Sequence, residues 1–250
     1  PYTTLFRSKN MREGSKRILG LIPARGGSKG IPRKNLFPIM GKPLLEFTVD
    51  AAHKSQYINQ TMLSSEDQEI IDFARKLGVD CRYRRPKHLA CDQAVTIDAV
   101  FDVLDWLEAQ GELPDIVVLL QPTSPLRDEV VIDQALDYFI ANSLQALTSV
   151  HAMKDHPFKS VHKRNGKWGY LAKPDRYVSR RQDYPDEYFV INGALYIATP
   201  QWLREQGDFT IEGKTFLFET SPIVGMDVDA LIDVYQIEAY LRIEQEGMYQ

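Results

Sequence analysis

"RILGLIPARGGSKGIPRKNL", Arg17 to Leu36, joins a short apolar run to a loop dense in glycine and positive charge. The run Ile18–Pro23 is apolar without alternation, the pattern of a parallel strand buried on both faces. Behind it, "GKPLLEFTVDAAHKS" opens with Pro43 and continues with helical spacing through Leu45, Val49 and Ala52. Strand, loop and helix thus form the first unit of an α/β sheet. In such sheets ligands lie beyond the carboxyl ends of the strands, where this loop begins.

The same alternation continues outward. "QTMLSSED" reads as a strand ending at a helix cap, Ser65 or Ser64, before "EDQEIIDFARKLG", which stops at Gly78. "VDCRYR" reads as another short strand, and a helix is expected from Thr96 to Gln110. Ile116–Leu120 is the strongest strand, followed by a helix over Glu129–Asn142 and the strand "ALTSV". The fold expected is α/β, a single doubly wound, mostly parallel, Rossmann-like sheet occupying residues 17–245. Residues 151–188 break the rhythm, being rich in charge, Gly, Pro and aromatics, and read as a small β-rich arm inserted into that domain. "FVINGALYIATP" and "TIEGKTFLFET" return to strand character. The chain then runs into an amphipathic helix with Leu231, Val234, Ile237, Tyr240 and Leu241 on its buried side. Residues 1–10 read as foreign to the fold, with Met11 the more natural start.

Composition narrows the function. The 250 residues carry a net charge of −4, which argues against a general nucleic-acid binder. No apolar run reaches membrane-spanning length and the N-terminal stretch has no apolar signal core. The two cysteines, Cys81 and Cys91, read as free thiols, in keeping with a cytoplasmic location. His53, His88, His151, His156 and His162 have no metal-site spacing.

Gly26, Gly27 and Gly30 let backbone N–H groups approach a ligand, and Arg25, Lys29, Arg33 and Lys34 add charge suited to phosphate oxygens. A polyphosphate suits such a loop; a merely solvated basic loop is the plain alternative. The segment matches neither Walker A nor the dinucleotide fingerprint, which argues against an NAD-dependent dehydrogenase. Taken singly, Gln121 reads as a strand-end side chain bonding loop backbone, Asn192-Gly193 as a turn and Tyr196 as core.

"LIPARGGSKGIPRKNL", "LLQPTSPLR", "NGALYI" and "MDVDALIDV" occur in that order. Together they resemble the acylneuraminate cytidylyltransferase family, the CMP-sialic acid synthetases and their relatives for other nonulosonic acids, over Ile18–Leu241. The resemblance implies a homodimeric enzyme that couples CTP to an acidic nine-carbon sugar with Mg²⁺, releasing pyrophosphate. It places Ala24, Arg25, Gly26, Lys34, Asn35, Arg85, Ala94 and Thr96 around the nucleotide. Gln121, Asn192 and Tyr196 would meet the sugar, with Lys159 and Arg181 on the arm that crosses to the neighbouring subunit. Arg25, Lys34, Gln121 and Asp227 would carry the chemistry. Asp227 and Asp229, two apart in an extended segment, face the same way and would hold the metal, although Asp229 also suits the N-cap of the last helix.

One departure concerns the sugar. Relatives acting on N-acetylneuraminate often carry Arg two residues before the Asn-Gly, and Val190 stands there. A cytidylyltransferase for an eight-carbon acid such as KDO and a non-catalytic nucleotide-binding module are the competing readings.

Overall fold

The computed structural model describes residues 16–172 and 187–246. Residues 1–10 and Arg181 lie outside them. A six-stranded sheet has the order β10-β6-β9-β5-β1-β4. These strands are β1 (Ile18–Pro23), β4 (Gln60–Ser64), β5 (Ile116–Leu119), β6 (Ala146–Ala152), β9 (Phe189–Ala198) and β10 (Phe216–Glu219). β9 runs antiparallel to both neighbours, and the other pairings are parallel. The α/β, mostly parallel sheet expected from the strand–helix alternation is therefore the observed one.

Alternate residues of the central strands supply opposite faces. Ile18, Ile22, Ile116 and Val118 pack with α1 (Leu44–Lys54), α2 (Gln68–Lys76) and α4 (Glu129–Ala141). Leu19, Leu21, Val117 and Leu119 pack with α3 (Thr96–Ala109) and with Leu203 of α5 (Pro200–Gln206). Because both faces are covered, these strands read as continuous apolar runs. A third, smaller core lies beyond the strand ends. Here Ile31 of the glycine loop packs with Ile39 of the short hairpin β2 (Pro38–Ile39) and β3 (Lys42–Pro43). Val228, and Val234 and Ile237 of α6 (Leu231–Gln245), complete it.

Several local expectations change. α2 is capped by Asp67, whose carboxylate accepts from Glu69 and Ile70 N–H; Ser65 instead accepts from Asp67 N–H with its hydroxyl. In 79–84 only Asp80 forms a bridge, to Met62, because the segment diverges after meeting the sheet edge. Leu231 is 51 % exposed and lies outside the buried stripe of α6, which Val234 and Ile237 form. In the arm region β7 (Val161–Arg164) and β8 (Lys167–Tyr170) form a hairpin across Asn165-Gly166, both at positive φ, the conformation a two-residue turn between twisted strands favours.

Arg127, at the end of "LLQPTSPLR", is 1 % exposed and has no carboxylate partner among the described residues. Its Nη1 donates to the carbonyls of Gln121 (3.1 Å) and Ala194 (2.8 Å), and Nη2 donates to the Thr48 hydroxyl (2.8 Å). It thereby ties the loop after β5 to β9 and α1. Burial pushes the guanidinium down to about 9, so it remains charged at neutral pH. Arg127→Met is expected to leave these acceptors dry and to cost about 2–4 kcal/mol, read as a lower urea midpoint at unchanged slope.

Candidate active site

The site is built on the carboxyl ends of β1, β4 and β5. After β1 the loop turns back under its own side chains. Asn35, 7 % exposed, donates its amide Nδ2–H to the Arg25 carbonyl at 2.9 Å, fixing the loop's first turn. Gly26 N–H donates to Glu66 Oε1 at 2.7 Å. A Cβ on Gly26 would stand 2.5 Å from Asp67 Oδ2, and one on Gly30 would stand 2.0 Å from the Asp229 carbonyl oxygen. These glycines are therefore required by close approach. Gly27, with nothing within 4 Å of its hypothetical Cβ, is not.

The loop's cations are distributed among three neighbouring segments. Lys34 Nζ donates to the Val228 carbonyl (2.8 Å) and pairs with Asp229 (3.1 Å). Arg25 and Lys29 both meet Asp92. Arg33 is committed to Asp67 and Glu69 at the start of α2, so it anchors the loop and is not presented to a phosphate, as its charge alone had suggested.

Asp227 and Asp229 stand on either side of buried Val228, both open to solvent, as extended spacing requires. The Val228 N–H donates to the Thr123 carbonyl at 2.8 Å, and the Thr123 side chain bonds the Asp227 carboxylate. The "QPTSPLR" loop thus holds the acidic segment against the glycine loop. Desolvation raises the Asp227 carboxyl above its usual range; Asp229 and Asp233 add to that, while the Thr123 bond and Lys34 oppose it. Asp229 is not the helix cap. Asp233 accepts from the N–H groups of Asp229 (2.9 Å) and Ala230 (2.7 Å), leaving the Asp229 carboxylate facing Lys34.

A cleft of about 190 Å³ opens beside the loop, lined by Arg25, Arg85, Leu89, Ala94, Thr96 and neighbouring residues. Arg85 is 6 % exposed; Nε and Nη2 donate to the hydroxyl and carbonyl of Ser64, and burial lowers its pKa. Thr96 begins α3, whose N-terminus has no side-chain cap and so presents N–H groups at the cleft. A larger open cavity, about 570 Å³, lies at the amino end of the sheet around Lys16, Asp115 and Gln145, away from all of these residues.

Around the end of β5, Gln121 Oε1 lies 3.4 Å from where Gly193 would carry a Cβ; Gly193 has φ +72° at the bulge in β9. Asn192 is 8 % exposed. Its oxygen accepts from Ser149 Oγ and Ala194 N–H, and its nitrogen donates to Thr220, so it stitches β6 and β9 to the residue that follows β10. Tyr196 packs against Phe209; burial raises its pKa, with the charges of Asp208 and Asp227 adding to the effect. Lys159 is exposed in the turn Pro157–Lys159, before the β7–β8 hairpin. Glu66, Asp92, Thr123 and Arg127 shape the site without having been singled out by spacing. Thr123 and Arg127 lie within "LLQPTSPLR", but their parts, like those of Glu66 and Asp92, are set by long-range contact partners.

The sequence model of one family, described as Cytidylyltransferase, matches residues 19–244. The chain belongs to this family. It is 31% identical, over 92% of its length and 99% of the relative's, to a pseudaminic acid cytidylyltransferase of Campylobacter jejuni (strain 81-176). It is 31% identical to a CMP-N,N'-diacetyllegionaminic acid synthase of Legionella pneumophila, covering 93% of this chain and 99% of that one. An N-acylneuraminate cytidylyltransferase of Streptococcus agalactiae is also 31% identical, over 88% of this chain and 52% of that protein. A solved CMP:2-keto-3-deoxy-manno-octonic acid synthetase in complex with CTP superposes with a TM-score of 0.67 at 18% identity, covering 92% of this chain and 100% of that one, and supports the fold.

Gly30→Ala is expected to push this cytidylyltransferase's loop off the Asp229 backbone and weaken nucleotide binding at least about tenfold, whereas Gly27→Ala stays near wild type. Isothermal titration of both variants with CTP checks the contrast.

Proposed function

We propose that the protein joins CTP to a nonulosonic acid, giving the CMP-sugar and pyrophosphate. The observation that carries this reading is the apposition of Lys34 in the glycine loop with the Asp227–Asp229 segment, beside a cleft of pyrimidine scale. Arg85, Ala94 and Thr96 would surround the base and ribose, Asn35 would keep the loop in shape, and Arg25, Gly26 and Lys34 would hold the triphosphate. The sugar's anomeric oxygen would form a bond to the α-phosphorus in line as the bond to the pyrophosphate oxygen breaks. Positioning and stabilisation of spreading negative charge dominate such a transfer. Gln121, beside Gly193, would orient the sugar near its reacting carbon.

Asp227 and Asp229 fit a hard divalent cation: two carboxylates on one side of an extended segment, one partly desolvated and with its pKa raised. Among the described residues no cluster of three or more acidic, His or Cys ligands forms. That suits Mg²⁺, which completes its shell with water and phosphate oxygens. Bound there, Mg²⁺ would supply charge neutralisation at the phosphates.

The sugar we favour is a deoxygenated, diacylated acid of the pseudaminate or legionaminate kind. Val190, 39 % exposed, leaves apolar surface where an arginine would offer charge. The test is pyrophosphate release measured for each NTP across a panel of acidic sugars. Turnover should need CTP and favour such sugars over N-acetylneuraminate and KDO. Asp227→Asn and Asp229→Asn should stay folded while the rate falls about a hundredfold or more. Turnover with ATP or GTP as good as with CTP, or aspartate variants near wild-type rate, would refute the reading.

The working unit we infer is a homodimer. Val161, Trp168, Tyr170 and Leu171 of the hairpin and its flank are 48–67 % exposed, a large apolar display for a solvated surface. Light scattering at working concentration should give twice the chain mass; a fully active monomer would overturn it.

A further inference from the structure

Asp92 lies between the turn Lys87–Ala90 and α3, on the cleft wall facing the glycine loop. Its Oδ1 accepts from Arg25 Nη1 at 3.0 Å, and its Oδ2 stands 3.1 Å from Lys29 Nζ. Arg25 Nη1 also donates to the neighbouring Cys91 carbonyl at 3.1 Å, so one short stretch, Cys91-Asp92, captures both cations of the loop's outer half. Lys29 first, and Arg25 after it, hold the Asp92 carboxyl below the usual carboxylate range. Lys34 and Arg33 are engaged elsewhere, on Asp229 and on Asp67 with Glu69. Phosphate oxygens that reach Arg25 and Lys29 must therefore take them from Asp92, because one guanidinium edge and one ammonium cannot serve both anions at full strength.

We propose that Asp92 is a resident counter-anion of the phosphate loop, which a substrate's phosphates displace and which competes for the same cations when pyrophosphate departs. The inference rests on the nucleotide reading above and extends it: Asp92 sets how tightly the loop holds polyphosphates without touching the base or the sugar. The pairs are solvent-exposed, with Asp92 at 46 % and Lys29 at 75 % exposure, so the competition is modest in size. A modest competitor suits a loop that must release a product as highly charged as its substrate. A single small anion gains little by breaking both pairs, whereas a nucleoside triphosphate also gains the base cleft.

The test compares wild type with Asp92→Asn by isothermal titration against CTP, pyrophosphate and cytidine at fixed salt. Asp98→Asn serves as control, because it removes an equal charge in the first turn of α3 from a residue that pairs with no cation among the described residues. Asp92→Asn should tighten CTP and pyrophosphate about threefold to tenfold and leave cytidine unchanged, with Asp98→Asn near wild type. Equal tightening by both variants would mean diffuse charge and overturn the proposal, as would no tightening by Asp92→Asn. Wild type that binds pyrophosphate but no nucleotide would sink the functional reading alone, since the pyrophosphate arm still judges Asp92. Wild type that binds neither overturns both. Asp92→Ser, read alongside thermal melting, separates a folding defect from a change in affinity.

Discussion

A buried cation held by neutral acceptors, with no counter-carboxylate among the described residues, holds the centre of this molecule. Arg127 gives Nη hydrogens to the carbonyls of Gln121 and Ala194 and to the Thr48 hydroxyl, while its buried Nε–H meets no acceptor among the described residues, so three elements distant in sequence share one donor. Sealing such a charge away from water is costly unless its hydrogen bonds are made. The cost is also a constraint. The loop after β5, the bulge of β9 and the first helix must all stand where the guanidinium can reach them. Gln121 and the Asn192-Gly193 bulge consequently meet, and Thr123 is placed to bind Val228 and Asp227.

From that point the two ends of the chain close on one another. Ile31 and Val228 are fully buried in the same small core, although nearly two hundred positions separate them. Apolar side chains supply the attraction, and polar ones set the register: the Lys34 ammonium caps the Val228 carbonyl, and Gly30 admits the Asp229 backbone at a distance that allows no Cβ. Acidic and basic halves of the site are thus brought together by a hydrophobic contact that belongs to neither.

Charge is arranged economically around this contact. Each of Arg25, Lys29, Arg33 and Lys34 has a carboxylate within reach, yet the partners serve different ends. Asp67 and Glu69 fasten the loop to α2. Asp229 faces Lys34 across the site, and Asp92 covers the outer cations. Exposed pairs of this kind contribute little to stability. Their weight lies in which anion each cation is free to meet.

The sheet was legible in the sequence because its strands are buried on both faces, and burial on both faces leaves an apolar run such as Ile18–Pro23 or Ile116–Leu119 that no loop imitates. The glycine loop and the Asp227–Asp229 pair were legible for a similar reason: local geometry alone demands those residue types at those spacings. Legibility ended where a residue's part is set by something far away. Arg33 and Lys34 are adjacent cations in sequence; Arg33 anchors a helix and Lys34 faces an aspartate, and only the packed loop separates the two. Asn35, Asn192, Arg85 and Arg127 are ordinary polar letters until burial commits their hydrogen bonds. Leu231 reads as core by periodicity and lies in solvent, since the last helix turns a narrower stripe to a small third core. Periodicity and backbone sterics act over a few residues and are written in the sequence. The pairing of a charge with its counter-charge depends on distance in space, which only the tertiary structure decides.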